Sequence, residues 1–239
     1  MNMLNKDCKP NRLTFSVFLF LKECLKLPNC QVTNKINHSY DMDWCMMNGH
    51  WKEITGSLLS TIGTIQAAIG STPDFHLDKN LNYQLRLIGN VLQASGSALS
   101  ADGQGTVSLE KMGDEIQAAG NSTVIAGLII YGTSNTETEQ RLIITGNWLQ
   151  ALGSFVGLAD EFFDSTEDGR TENIVGNLLQ GIGNSFQSLS GVQSLNYNNN
   201  SNQGKTGVAG SWIQAAGSVI SLIGQIQEEL EEIRLNINE

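Results

Sequence analysis

Three histidines and four cysteines are the residues that most directly offer chemistry in this chain. His38 with Asp41, and His50 with Glu53, stand three apart, a spacing that sets an imidazole and a carboxylate on one helical face. Neither pair has a second His or Cys nearby to complete a zinc site, so neither reads as catalytic or metal-binding. Cys8, Cys24, Cys30 and Cys45 fit neither a zinc spacing nor a CxxC redox pair. Free thiols are expected, with two disulfides in any of the possible pairings as the alternative.

Asp164-Ser165-Thr166-Glu167-Asp168-Gly169 has the acids and glycine that begin a calcium loop. Thr166 and Val175 stand where further ligands belong, which leaves an acidic linker. Asp160 and Glu161 read as a solvated cluster rather than an acid–base pair. Phosphate-cradling loops, nucleophile elbows and dinucleotide fingerprints are absent from the sequence. The expectation is a protein that is not an enzyme and has no cofactor or metal.

The elements that would hold any site come from a repeat. Glycines recur in pairs seven apart: Gly56 and Gly63, Gly89 and Gly96, Gly113 and Gly120, Gly146 and Gly153, Gly176 and Gly183, Gly210 and Gly217. A third follows at Gly70, Gly103, Gly127 and Gly224, with Asp160 and Ser190 in the other two copies. Gln stands four after the first Gly at Gln93, Gln117, Gln150, Gln180 and Gln214, and Ser60 takes that place in the first copy. Offsets of 24 to 34 residues between copies mark repeated supersecondary units.

Seven residues is close to two helical turns, so the glycines of a copy fall in one row. In the last copy Ser211, Gln214 and Ser218 lie on one side of that row. Trp212, Ile213, Ala215, Ala216, Val219, Ile220 and Ile223 form a broad apolar arc on the other. Each helical Gly costs about 0.8–1 kcal/mol relative to Ala, a penalty offset if the row is a helix-packing seam where backbones meet closely. The polar strip is expected to be wet, with the glutamines solvated or, as the alternative, bonded across helices. Trp148 and Trp212 share one repeat position; core packing is their ordinary role and a partner-binding surface the sharper one.

These signals give an all-α fold: six amphipathic helices from a ~33-residue repeat, forming an antiparallel bundle or a solenoid-like array. The helices should run over about 51–70, 79–101, 108–131, 137–163, 172–195 and from 205 past 224. Residues 47–239 form the repeat domain. Residues 1–46 hold all four cysteines and stand apart as a leader, either disordered or preceding a true start at Met46 or Met47. The run Leu13–Leu21 follows basic residues as in a signal peptide, but it lacks a small-residue cleavage site and is too short to span a bilayer.

The net charge of −10, with 14 basic residues spread thinly, excludes nucleic acid as a partner and weighs against a membrane surface. The expected function is a structural or interaction protein, cytoplasmic though secretion stays open, that associates with itself or another protein. The alternative is a membrane-active protein whose helices insert or oligomerise through the small-residue seam. The unit Gly-Asn-Trp-Leu-Gln-Ala-Leu-Gly at Gly146–Gly153, with its kin at Gly89 and Gly210, resembles the glycine-rich repetitive proteins of spore-forming Gram-positive bacteria, grouped as a family of unknown function. The resemblance covers about residues 47–227 and implies no activity, cofactor or catalytic residue.

Overall fold

The computed structural model describes residues 40–105, 107–131, 137–162, 168–196 and 201–238. The leader up to residue 39 and the calcium-loop-like segment lie largely outside them, and none of the four cysteines has a described side chain. The helices are α1 (Tyr40–Ser71), α2 (Lys79–Gly103), α3 (Leu109–Tyr131), α4 (Glu137–Asp160), α5 (Arg170–Asn196) and α6 (Ser201–Asn238), with a 3-10 turn at Pro73–Phe75. There is no strand among the described residues.

Each boundary has a local cause. Pro73 follows α1, where it cannot continue the helix. Asp78 caps α2 by accepting from the Asn80 N–H at 3.0 Å. Gly105 and Gly169 adopt φ +63° and +83°, left-handed turns beside the starts of α3 and α5. Asp160 Oδ1 accepts from the Leu109 N–H at 3.1 Å, so the end of α4 satisfies the beginning of α3.

The helices pair as three antiparallel hairpins, α1/α2, α3/α4 and α5/α6, and the glycine rows meet inside each hairpin. A Cβ on Gly63 would stand 2.5 Å from the Gly89 carbonyl oxygen, and one on Gly89 2.6 Å from that of Gly63. Gly120 and Gly146 face each other in the same way at 2.7 and 2.6 Å, as do Gly183 and Gly210 at 2.5 and 2.6 Å. Seven residues toward the other end, Gly56 meets Gly96, Gly113 meets Gly153, and Gly176 meets Gly217. At each crossing a glycine Cα–H points at the opposing carbonyl, a weak hydrogen bond that recurs where helices touch backbone to backbone. A side chain larger than hydrogen has no room there.

The hairpins then join side by side, and α6 packs back on α1, closing a ring in which each helix packs mainly on its two neighbours. Side chains stitch the remaining joints. Tyr83 donates to the Leu128 carbonyl at 3.1 Å, Ser188 to that of Ile144 at 3.2 Å, and Thr61 to that of Ser218 at 3.0 Å. The architecture is therefore a closed bundle rather than an open array.

The polar strip faces inward, reversing the wet-outside expectation. Among the described residues, 26 polar or charged side chains are buried against ten apolar ones, and six of those ten are Ala. Exposed large apolar side chains occur on all six helices, among them Leu58, Ile88, Ile129, Leu152, Phe186 and Ile223. The geometry explains the reversal. The apolar arc is broad and bulky, so it fits the convex outside of a ring, while the narrow strip of Ser, Asn and Gln fits the inside.

Candidate functional site: a polar interior with an acidic end

The interior is layered, and the repeat sets the layers. The residue after one glycine of each helix supplies Thr64, Asn90, Asn121, Asn147, Asn184 and Ser211, all six buried. The residue after the other supplies Ser57, Ser97, Asp114, Ser154, Asn177 and Ser218. Between them lies the layer of Ser60, Gln93, Gln117, Gln150, Gln180 and Gln214. Gln93, Gln150, Gln180 and Gln214 are buried, which corrects the expectation that the glutamines are solvated.

Three glutamines from alternate helices converge. Gln214 Nε2 donates to Gln93 Oε1 at 3.0 Å and to Gln150 Oε1 at 3.3 Å, while Gln187 Nε2 donates to Gln214 Oε1 at 2.9 Å. Many of the smaller polar groups bond to their own helix one turn back: Asn121 to the Gln117 carbonyl at 3.0 Å, Ser154 to that of Gln150 at 3.0 Å, Asn90 to that of Arg86 at 2.8 Å. Such bonds let a polar strip lie away from bulk water at little cost.

One turn from the glutamine knot, Ser97 and Ser218 enter the wall of a cavity of about 60 Å³. Hydroxyls, amides and the carboxylates of Glu110, Asp114 and Glu161 line it, with no large apolar side chain and no basic one. Glu161 thus belongs to the interior rather than to a solvated cluster. Basic groups near this end are engaged elsewhere: Lys52 Nζ with Asp102 at 2.8 Å, Lys111 Nζ with the Gly105 carbonyl at 3.3 Å, Arg170 Nε with the Glu161 carbonyl at 2.7 Å.

Where α6 meets α1, His50 Nδ1 bonds Glu229, with Glu232 at 3.8 Å. Gln225 Nε2 reaches Glu229 at 2.7 Å and Glu53 at 3.5 Å. His50, Glu229 and Glu232 are arranged so that they could hold a metal ion. The partners of His50 lie 179 and 182 residues away, so local spacing could not reveal the cluster. His38 and Asp41 have no described side chains.

Burial, and then the hydrogen bond with Glu229, pushes the Glu53 carboxyl up to about 12. Burial raises Asp114 to about 7, and the Glu229 hydrogen bond raises His50. All three make the fold bind protons more tightly than the unfolded chain, so stability is fullest at low pH and falls as pH rises through each folded value. For Asp114 the window runs from its ordinary value of 3.8 to about 7. Acidification from about pH 8 to 5 is expected to raise the melting midpoint, and Asp114→Asn to make that rise smaller. A midpoint that falls on acidification contradicts this assignment.

Trp148 and Trp212 both reach the outer surface, at 43% and 39% exposure. Trp212 Nε1 donates to Thr72 Oγ1 at 2.9 Å, and its ring centroid lies 6.3 Å from that of Phe75. Neither tryptophan is a core residue.

The molecule is an all-α protein of glycine-seamed hairpins closed into a ring around a polar interior. The chain belongs to a family of unknown function, DUF6944, whose pattern matches residues 51–222. No curated protein and no solved structure matches it.

Proposed function

We propose that this chain is a non-enzymatic, membrane-inserted helical barrel, with its apolar outside in lipid and its polar strip lining the interior. The observation that carries this reading is the inversion of the fold, large apolar side chains around the outside and amides and hydroxyls within. Water-soluble monomers rarely expose a large continuous apolar surface, whereas polar residues inside membranes face a bundle interior.

The distribution of charge supports it. Residues 54–71, 87–101, 116–131, 142–159, 173–196 and 206–227 contain no Asp, Glu, Lys or Arg. Each uncharged segment of about 15–24 residues rises roughly 22–36 Å as a helix, which brackets a hydrocarbon core of about 30 Å. The charged clusters lie beyond these segments at the two ends of the ring. Two helices are long and apolar enough to cross a membrane by length and composition alone, Glu137–Asp160 and Gly204–Leu235. All six helices carry the inward polar strip, which lowers average hydropathy without altering the outer face. The glycine seams suit this medium, because helices in lipid associate through close backbone packing rather than the hydrophobic effect.

The test is flotation of the purified full chain on phosphatidylcholine vesicles, followed by alkaline carbonate extraction. The barrel is expected to float and to stay with the lipid. A monodisperse, detergent-free soluble protein contradicts the reading. Soluble oligomers without lipid association favour instead the self-associating interaction protein, whose copies would cover the same apolar surface.

A further inference from the structure

We infer that the interior is a hydrated path for small cations, closed in this structure by the Gln93–Gln150–Gln214 knot; the inference rests on the membrane-inserted reading. Three features meet along one axis. The first is the cavity on the acidic side of the knot, walled by hydroxyls, amides and the carboxylates of Glu110, Asp114 and Glu161, with no cationic side chain in the wall. Burial holds Glu110 and Asp114 toward the protonated form, so the wall offers carboxyl, hydroxyl and amide oxygens with no cationic side chain among them, a lining that suits cations better than anions.

The second feature is a set of buried amide atoms without a protein partner. Gln150 Nε2 lies in the knot, and Asn121 Oδ1 and Asn184 Nδ2 lie in the asparagine layer beyond it. Gln150, Asn121 and Asn184 are only 2%, 1% and 1% exposed. A buried amide unmatched by protein takes its hydrogen bond from water or from an ion in transit. These atoms extend the hydrophilic lining one layer past the knot; beyond that layer Ile125 and Leu128, on the same face of α3 as Asn121, are 2% and 1% exposed.

The third is the nature of the closure itself. Two hydrogen bonds from one amide, at 3.0 and 3.3 Å, hold three long side chains together across the axis. Rotamer changes of glutamine side chains are enough to part the knot itself without movement of a helix. The glutamines supply the gate, and the carboxyl oxygens on one side, with no cationic side chain beside them in the wall, favour cations.

The experiment uses full-length protein in phosphatidylcholine vesicles, with flotation confirming insertion in each sample. Potassium and chloride fluxes are read separately under matched gradients. Gln150→Ala is expected to raise potassium flux about tenfold, the rate change expected from losing one neutral hydrogen bond from the barrier, and Gln214→Ala, which removes both knot bonds, by at least as much. Gln214→Asn keeps an amide but shortens its reach, and it gives the same direction if an Ala variant fails to fold. Glu110→Gln combined with Glu161→Gln is expected to lower the potassium-to-chloride ratio severalfold. Floated protein whose wild type and knot variants all leave potassium flux at the level of empty vesicles overturns this inference alone. So does flux that favours chloride. Failure to float overturns the membrane reading and this inference with it.

Discussion

Gly217→Leu is expected to destabilise the helical ring by several kcal/mol, even though Leu is the better helix former. The first carbon of the new side chain would stand 2.7 Å from the Gly176 carbonyl oxygen, 2.8 Å from the Gln180 nitrogen and 2.9 Å from Leu179 Cβ. Two of those three atoms are backbone and cannot rotate away, so α5 and α6 must separate and lose their contact along the seam. Gly217→Ala should show the same sign with a smaller loss, because its Cβ meets the same atoms. Gly204, on the same helix, has nothing within 4 Å of its Cβ position. Gly204→Ala should be neutral or up to about 1 kcal/mol stabilising, through propensity alone. Thermal melting in detergent, followed by tryptophan fluorescence, separates these cases. A Gly217→Leu variant as stable as the parent would place that glycine away from the helix contact.

The helices were legible because their signal is local. The Thr72-Pro73-Asp74 stop, the apolar pairs at helical spacing and the seven-residue glycine step lie within one or two turns of each other. Boundaries at Lys79, Tyr131 and Glu137 coincide with the sequence expectation, and α1 extends further upstream. The direction of the polar strip was not legible. An amphipathic helix with a glycine seam has the same pattern whether its bulky face turns in or out, and only closure of the ring decides between them. The acidic end was hidden for a different reason. Glu53 and Glu229 are adjacent through the α1–α6 joint, which no repeat spacing encodes. Glutamine burial could have been suspected from the repetition of Gln93, Gln117, Gln150, Gln180 and Gln214 at one phase of the helix, since a solvated residue is under no packing demand to recur there.

A charge placed on the outer belt should distinguish lipid from water by the size of its effect. Leu152 is 51% exposed and lies within the uncharged segment of α4. In water, Leu152→Arg changes an exposed side chain that makes no specific polar contact, and the expected effect is within about 0.5 kcal/mol. In a bilayer, an arginine near the middle of a span costs about 2.5–3.5 kcal/mol by insertion measurements. The variant is therefore expected to float poorly and to lower the melting midpoint in phospholipid nanodiscs. Leu230→Arg provides the depth control, because Leu230 is similarly exposed, at 44%, but lies beside Glu229 and Glu231, past the uncharged segment of α6. Its expected cost is about 0–1 kcal/mol, by analogy with the fall in charge penalties toward the interface of membrane barrels. Equal, negligible effects at both positions would indicate that the belt faces water. A large loss at Leu152 with little at Leu230 would mark the uncharged belt as the part in lipid, because water penalises neither substitution according to its height along the ring.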